Sequence, residues 1–121
     1  MTCVAVYGSL REGFHNHYLL EGSKHIAKGI LRDFKMFSLG SFPAIIPSDS
    51  GEITVEVYEV SPNILARLDH LEGYPQFYNR MEVPVAHGDG EYTEAWVYFV
   101  TRTPTGLAEV PSGDWSKHYQ R

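Results

Sequence analysis

Cysteine pairs, long apolar segments and a basic leader are all missing from this sequence. Cys3 is its one cysteine, so no disulfide can form within the chain and nothing points to an oxidising compartment. No apolar run approaches the roughly 18 residues that a membrane-spanning helix needs. Residues 1–7 have neither the basic flank nor the long apolar stretch of a signal peptide. We therefore expect a soluble, cytoplasmic protein with no membrane partner, in which Cys3 is a small buried hydrophobe.

Basic residues are also scarce. Lysine and arginine number 10 against 15 aspartates and glutamates, which gives a formal net charge of -5. A protein that binds the phosphate backbone of nucleic acid needs a basic face, so we expect no nucleic-acid partner. The same composition is compatible with a small anionic substrate that is held by a few local donors.

The common cofactor and nucleophile motifs are absent too. The sequence has no Gly-x-x-x-x-Gly-Lys phosphate loop, no Gly-x-Gly-x-x-Gly dinucleotide fingerprint and no Gly-x-Ser-x-Gly elbow. His15 and His17 flank Asn16, but no matched third ligand lies near them in the sequence, so they do not indicate a zinc site. We predict no metal and no cofactor.

What the sequence does contain is a series of short β-prone segments punctuated by glycine and proline. Its 121 residues suffice for one domain, 1–121, with one core. Apolar alternation and β-branched residues predict strands at 2–7, 42–46, 51–60, 78–86 and 92–100, and two more within 24–39 that are separated by a turn at Arg32-Asp33. One helical turn is expected at 17–20.

One segment carries a strong helix pattern. Ser61 is a good N-cap, and Pro62 suits the first helical position, where its missing N–H costs nothing. Isoleucine and leucine then recur at helical spacing, at positions 64, 65, 68 and 71. Gly73 can adopt the left-handed conformation that ends a helix, and Pro75 prevents its continuation. We predict a helix from about Pro62 to Glu72.

The order of these elements indicates the fold class. His87-Gly88-Asp89-Gly90 predicts a tight hairpin turn between the last two strands, because aspartate and glycine tolerate positive φ. Runs of strands without regular alternation with helices favour an α+β domain. We therefore expect a small mixed, mostly antiparallel β-barrel with few helices.

The first candidate site is the turn after the first strand, Tyr7-Gly8-Ser9-Leu10. Gly8 lets the backbone turn sharply and approach a ligand closely. Successive N–H groups in such a turn can converge on an anion, with the Ser9 hydroxyl as a further donor and Arg11 as a source of positive charge. A strand-ending turn that binds nothing is the alternative that this spacing leaves open.

Two carboxylates near the end of the predicted helix form the second candidate site. Asp69 and Glu72 lie three residues apart, so they occupy neighbouring surface. The negative end of the helix dipole and their mutual repulsion each raise a carboxyl pKa, and partial burial would raise it further. A glutamate tuned in this way can act as a general base near neutral pH, with Tyr74, Phe77 and Tyr78 lining a pocket beside it. Two solvated acids at a helix end are the alternative.

An ordered set of short motifs runs along nearly the whole chain. It comprises Val6-Tyr7-Gly8-Ser9-Leu10, Phe42-Pro43-Ala44-Ile45, Val57-Tyr58-Glu59-Val60, Leu68-Asp69-His70-Leu71-Glu72-Gly73-Tyr74-Pro75, Tyr78-Asn79-Arg80, Ala95-Trp96-Val97-Tyr98 and Ser112-Gly113-Asp114-Trp115. Together these segments resemble the gamma-glutamylcyclotransferase-like family, and most closely the branch that includes gamma-glutamylamine cyclotransferase. The sequence departs from the family pattern at Val55, where relatives often have a small glycine.

The resemblance implies a fold, a reaction and a set of site residues. The fold is a small mixed barrel with the active pocket at one end. In the reaction, the α-amine of a γ-glutamyl substrate attacks its own γ-carbonyl, and 5-oxoproline and an amine or amino acid are released. The family's catalytic glutamate falls on Glu72. Its substrate-binding positions fall on Tyr7, Gly8, Ser9, Leu10 and Tyr78. The expected partner is thus a small-molecule γ-glutamyl substrate.

Two other functions are compatible with the same residues. A binding module could keep the pocket for an amino-acid-like ligand without turnover. An acyl-transfer or isopeptide-cleaving relative could act on a modified protein or an antibiotic intermediate, because a fold alone does not fix the reaction. The sequence specifies neither the leaving group nor an oligomeric state.

Overall fold

The computed structural model of the chain describes residues 2–88, 90–101 and 107–118. Its elements are β1 (Thr2–Val6), a 3-10 turn (His17–Leu20), β2 (Lys24–Ser38), β3 (Pro43–Val60), α1 (Pro62–Glu72), β4 (Asn79–His87), β5 (Glu91–Phe99) and α2 (Trp115–His118). Across this described part of the chain, no helix is long and apolar enough to cross a membrane.

The five strands close into a barrel in the order β1-β3-β2-β4-β5. The pairs β1–β3, β2–β3, β2–β4 and β4–β5 are antiparallel, and the parallel pairing of β5 with β1 closes the ring. Closure pairs the strand edges that an open sheet would expose to other chains. The predicted α+β class and the small, mostly antiparallel barrel are confirmed.

The turn predicted at Arg32-Asp33 is wrong, because residues 24–38 form the single strand β2. Asp33 takes a φ of 70°, and the register with β3 shifts between Arg32 and Phe34. Such a shift is a bulge-like irregularity of the ladder, which bends a strand without reversing it. The local turn chemistry at Arg32-Asp33 therefore produces a bend within a long strand.

The separate strands predicted at 42–46 and 51–60 are wrong for a similar reason, since both belong to β3. Gly51 lies in the middle of β3 with a φ of 117°. A Cβ atom at Gly51 would clash with the carbonyl oxygen of Phe34 on β2. Glycine here permits a close approach of two backbones where the ladder between β2 and β3 is interrupted, between Pro47 and Glu52, and it does not end the strand.

The helix and the final hairpin are confirmed. Ser61 Oγ accepts the N–H of Ile64 at 3.2 Å, and Gly73 ends α1 in the left-handed conformation with a φ of 65°. The strands β4 and β5 differ from the predicted bounds by one residue at each end. Gly88 and Gly90 have positive φ, as the hairpin prediction requires, while Asp89 lies outside the described residues.

Two apolar clusters hold the fold together. One includes buried strand residues and Trp115 of α2, and Val55 contributes to this cluster, so the valine fills core. Cys3 packs against the same cluster and is half-buried. The second cluster includes Leu68 of α1 together with buried residues of the barrel wall and Tyr78. Burial of the apolar helix face against the barrel therefore sets where the C-terminal end of α1 lies.

Candidate active site

A cavity of about 280 Å³ lies between the turn that follows β1, the start of β3 and the C-terminal end of α1. All six site residues expected from the sequence line it: Tyr7, Gly8, Ser9, Leu10, Glu72 and Tyr78. Folding thus brings together two motifs that lie some sixty residues apart in the chain. Their roles in binding or catalysis stay predictions.

The turn after β1 supplies unpaired backbone donors. The N–H of Arg11 donates to the carbonyl of Gly8 at 3.0 Å, which closes a β-turn whose central residues are Ser9 and Leu10. Within the described residues, the N–H groups of Ser9 and Leu10 have no acceptor. Ser9 Oγ accepts from Asn16 Nδ2 at 2.8 Å, so its own proton stays available. The turn can therefore offer three donors to one anionic group.

Gly8 is required by close packing as well as by the turn. A Cβ atom at this position would lie 2.8 Å from Cδ and 2.9 Å from Cγ of Pro43. The carbonyl of Pro43 in turn accepts the hydroxyl of Tyr78 at 2.7 Å. Any side chain at position 8 would push apart the turn, the start of β3 and the tyrosine that form this wall of the cavity.

Glu72 is the last residue of α1. Among the described residues that line the cavity, it is the one with an acidic side chain. Burial raises the pKa of Glu72 from 4.5 to about 7. The upward direction agrees with the sequence-based expectation, but desolvation causes the shift rather than repulsion from Asp69. A carboxyl group with this pKa is half ionised near neutral pH, so it can both accept and return a proton.

Asp69 is neutralised by other partners and does not line the cavity. Arg80 donates to it through Nε at 2.9 Å and Nη2 at 3.2 Å, and the Tyr98 hydroxyl donates to Oδ1 at 2.7 Å. The Arg80 guanidinium lies 4.5 Å from the ring centres of both Tyr74 and Trp96. Tyr74, expected beside Glu72, is therefore a cation-π partner of Arg80 instead of a described cavity residue.

The tyrosine hydroxyls of the cavity are committed to structural hydrogen bonds. Tyr7 Oη donates to the carbonyl of Tyr98 at 2.8 Å, and Tyr78 donates to Pro43. Burial raises the pKa values of Tyr7, Tyr78 and Tyr98 above the ordinary tyrosine value. The charge of Glu72 raises the pKa of Tyr78 further, and the hydrogen bond to Asp69 raises that of Tyr98. These phenols stay neutral at pH 7, so Glu72 is better suited than they are to move a proton there.

Arg11 does not add charge to the turn, and that expectation is wrong. Its side chain is buried and donates through Nε to Glu56 Oε2 at 3.0 Å and through Nη1 to Asp114 Oδ1 at 2.9 Å. The guanidinium charge is therefore balanced by two carboxylates outside the cavity. No local pattern signals this ion cluster, because its members lie 45 and 103 residues from Arg11.

Several cavity residues were not anticipated from the sequence. The cavity is lined by Phe42, Leu71 and the β5 residue Tyr98, none of which was expected there. Phe77 was expected, and it lines the cavity as well. Leu71 belongs to the apolar stripe of α1 and is the residue before the last of that helix. This position was the sequence signal that its side chain could reach beyond the core. In the described part of the chain, no group of three histidine, cysteine, aspartate or glutamate side chains is placed to hold a metal ion.

One cavity of the closed barrel thus joins the partly buried carboxyl group of Glu72 to the turn after β1. The family model described as "Gamma-glutamyl cyclotransferase, AIG2-like" matches residues 4–117. The chain therefore belongs to this family and is a cyclotransferase-type enzyme, as the resemblance of its motifs predicts.

Similar proteins support the same assignment. A Methanocaldococcus jannaschii protein with a provisional gamma-glutamylcyclotransferase name is 38% identical over 120 residues, which cover 98% of each chain. Gamma-glutamylaminecyclotransferase A of Danio rerio is 29% identical over 78% of this chain and 66% of its own. The crystal structure of an AIG2-like protein from Mus musculus has a TM-score of 0.80 at 26% identity, covering 94% of this chain and 88% of that one.

Proposed function

We propose that this enzyme cyclises a γ-glutamyl group to 5-oxoproline and releases an amine or amino acid, with Glu72 as general base and then general acid. The observation that carries the proposal is the carboxyl group of Glu72, whose burial raises its pKa to about 7 in the same cavity as the free amides of Ser9 and Leu10. The names of the similar proteins support the reaction class.

The reaction needs one group that can both take and give a proton. The α-nitrogen of the substrate is an ammonium ion at neutral pH and cannot attack the γ-carbonyl carbon until a proton is removed. Ionised Glu72 accepts that proton, and the free amine attacks the γ-carbonyl carbon to form the new C–N bond. Protonated Glu72 then gives a proton to the departing nitrogen as the old C–N bond breaks. The new ring nitrogen loses its second proton to the released amine, which leaves as an ammonium ion. Bond formation and bond cleavage thus balance without water.

The turn amides give the reaction its geometry. A γ-glutamyl group carries one α-carboxylate, and the N–H groups of Ser9 and Leu10 with the Ser9 hydroxyl are suited to hold one such anion. An anchored carboxylate restricts where the neighbouring α-amine and the γ-carbonyl can lie. Restricting both to one cavity makes the intramolecular attack more frequent, which is the usual benefit of orientation in an active site. Tyr78 and Gly8 would keep the anchoring wall in place.

The proposal is tested by product formation. Purified protein is incubated with γ-glutamyl amino acids, γ-glutamyl amines and glutathione, and mass spectrometry measures 5-oxoproline. Glu72→Gln, which keeps the size of the side chain and removes the base, should reduce the rate by a factor on the order of 10²–10⁴. Glu82→Gln is the matched control, because Glu82 is exposed on β4 and does not line the cavity.

The outcomes separate the proposed enzyme from its alternatives. Product from the parent and from Glu82→Gln, with little from Glu72→Gln, supports the proposal. Equal rates in all three proteins would show that Glu72 is not the proton-transferring group. Ligand-induced stabilisation without 5-oxoproline would instead favour a binding module of the same fold.

A further inference from the structure

The carbonyl groups of the turn after β1 are held by residues that follow them in the chain. The carbonyl of Ser9 accepts the N–H of Asn16 at 3.0 Å. The carbonyl of Leu10 lies 2.8 Å from Nδ1 of His17, which must carry the proton because a carbonyl oxygen can only accept. Together with the turn-closing bond to the carbonyl of Gly8, these contacts fasten three successive peptide groups.

These backbone contacts fix the direction of the free amides. In a planar trans peptide, the C=O and the N–H lie on opposite edges of one rigid unit. The carbonyl of Gly8 shares its unit with the N–H of Ser9, and the carbonyl of Ser9 shares its unit with the N–H of Leu10. Because both carbonyls are bonded within the protein, each N–H has one direction. A change in the Asn16 side chain leaves these backbone bonds in place.

The hydroxyl group of Ser9 is held in a different way, by the side chain of Asn16. Asn16 Nδ2 donates to Ser9 Oγ at 2.8 Å, and both residues line the cavity. An amide NH2 group can only donate, so one lone pair of the hydroxyl oxygen faces Asn16. The hydroxyl proton must therefore point in another direction, where a ligand in the cavity can accept it.

Asn16 does not use its side chain in the way that its position suggests. It precedes the 3-10 turn (His17–Leu20) as its N-cap residue, where asparagine commonly accepts a backbone N–H. Its side chain makes no such cap hydrogen bond, and its amide donates to Ser9 instead. Local helix chemistry therefore does not explain the orientation of this side chain.

We propose that Asn16 is a positioning residue for substrate binding, which acts through Ser9 by keeping the hydroxyl proton directed at the α-carboxylate of the glutamyl group. The inference rests on the proposed function and adds a residue to its anchoring turn. Without the Asn16 amide, the hydroxyl group can rotate among its staggered positions. The carboxylate then loses a donor that was oriented before binding, and affinity falls.

A binding measurement tests the role of Asn16 without turnover. Calorimetric titration with γ-glutamyl-ethylamine is carried out in the Glu72→Gln background. Asn16→Ala should weaken binding by about three- to tenfold, which is the usual effect of one hydrogen bond. Asn63→Ala is the matched control, because Asn63 is exposed on α1 and does not line the cavity. Equal affinities of the two variants would overturn the inference.

A double-mutant cycle with Ser9→Ala distinguishes action through Ser9 from any other role of Asn16. Once the hydroxyl group is absent, Asn16→Ala should change the affinity by less than about twofold. The same three- to tenfold loss with and without the hydroxyl group would mean that Asn16 contacts the substrate itself or only supports the fold. Either result would overturn the inference.

A second probe identifies the substrate group that the hydroxyl contacts. γ-Aminobutyryl-ethylamine lacks the α-carboxylate and is otherwise identical to γ-glutamyl-ethylamine. The Glu72→Gln protein should bind it more weakly than γ-glutamyl-ethylamine, and adding Asn16→Ala should not weaken that binding further. An equal loss on both compounds would show that Asn16 does not act on the carboxylate, and the inference would fail.

These outcomes are distinguishable from failure of the proposed function. Coupling between Asn16 and Ser9 in binding, without any 5-oxoproline from the parent, would remove the proposed function alone. Release of 5-oxoproline by the parent, with no effect of Asn16→Ala on binding, would remove this inference alone. If Glu72→Gln did not bind γ-glutamyl-ethylamine at all, the inference would also fail, because the turn would then anchor no glutamyl group.

Discussion

Glu72 has a raised pKa because of where the fold places it, and its immediate sequence neighbours do not cause this shift. It is the last residue of α1, and the apolar contacts of the helix place its carboxyl group in the cavity, where burial raises the pKa to about 7. Asp69, one turn earlier, is held by Arg80 and Tyr98. Among the described residues, Asp69 has a cationic partner and Glu72 has none, so two acids three residues apart lie in different electrostatic environments.

The pH dependence of the reaction should report the pKa of Glu72. Below about pH 7 the buried carboxyl group is protonated and cannot accept the α-ammonium proton, so kcat/KM should fall about tenfold per pH unit. The measurement is the rate of 5-oxoproline release from one γ-glutamyl amide across the acid range. An acid limb centred near the ordinary glutamate value of about 4.3 would contradict a buried catalytic carboxyl group.

The same pKa shift predicts a pH-dependent gain in stability for Glu72→Gln. Between pH 4.5 and about 7 the folded parent binds more protons than the unfolded chain, so its free energy of unfolding falls as the pH rises. Above that range the full cost of the buried charge, about 3 kcal/mol, is present. Glu72→Gln carries no charge, so it should be more stable than the parent by as much as about 3 kcal/mol in alkaline solution.

Urea unfolding at about pH 4 and about pH 8.5 measures this difference. The two proteins should have similar stability in acid, where Glu72 is protonated in both the folded and the unfolded state. Glu82→Gln, on the exposed face of β4, should show no such divergence. A constant difference between parent and Glu72→Gln at both pH values would rule out the raised pKa.

Among the elements, α1 is fastened to the barrel by a polar clamp at the end that carries Glu72. The clamp consists of Asp69 on α1, Arg80 on β4 and Tyr98 on β5, with the Arg80 side chain between the rings of Tyr74 and Trp96. Asp69 and Arg80 are largely shielded from solvent, with side-chain exposures of 23% and 15%. Shielding makes charge-assisted hydrogen bonds more valuable than they are at an open surface.

Removing the carboxylate of Asp69 from this clamp should lower both the stability of the fold and the activity. We expect Asp69→Ala to lower the free energy of unfolding by about 2 kcal/mol, because Arg80 and Tyr98 lose a charged acceptor. It should also lower kcat/KM, since Glu72 lies three residues further along the same helix. Asp69→Asn, which keeps an acceptor for Tyr98, should lose less of both.

Chemical unfolding and 5-oxoproline assays on the same preparations check the clamp. Asp49→Ala is the control for loss of an aspartate, because Asp49 is exposed on β3. If Asp69→Ala proved as stable and as active as Asp49→Ala, the clamp would have no part in holding α1.

At the scale of the whole molecule, a buried ion cluster ties the turn of the site to the end of the described chain. Arg11, directly after the turn, pairs with Glu56 on β3 and with Asp114 just before α2. Glu56 also accepts the N–H of Glu12 and the hydroxyl of Tyr58, both at 2.9 Å. Charges that are paired and hydrogen-bonded in this way tolerate burial, whereas a lone charge does not.

Breaking the cluster at one member should be costly. Asp114→Ala leaves Arg11 buried with one carboxylate partner in place of two, so we expect the free energy of unfolding to fall by roughly 3–5 kcal/mol. The turn amides should lose their fixed position as well, and KM for a γ-glutamyl substrate should rise. Urea unfolding and initial rates, compared with those of Asp49→Ala, test both effects. A loss below about 1 kcal/mol would show that the cluster contributes no more than an exposed pair.

Local sequence signals were sufficient for α1 and the final hairpin, and the resemblance to the family pointed to six of the residues that line the cavity. Ser61 and Gly73 act through backbone contacts a few residues away, so the helix bounds follow from short-range chemistry. The hairpin depends in the same way on glycines with positive φ. The expected site residues meet in one cavity because each motif lies at the end of an element, where strands and helices expose their termini.

Only the tertiary structure decided whether β2 and β3 continue, which partner each charge has and how wide the cavity is. The sequences at Asp33 and Gly51 are typical of turns, yet pairing of β2 with β3 on both sides of these positions keeps each of them within one strand. Arg11 finds Asp114 across 103 positions, and no local pattern can specify such a contact. The sequence by itself determined which short segments form helix or strand. Long-range packing determined their partners, because burial and charge pairing depend on residues that are distant in the chain.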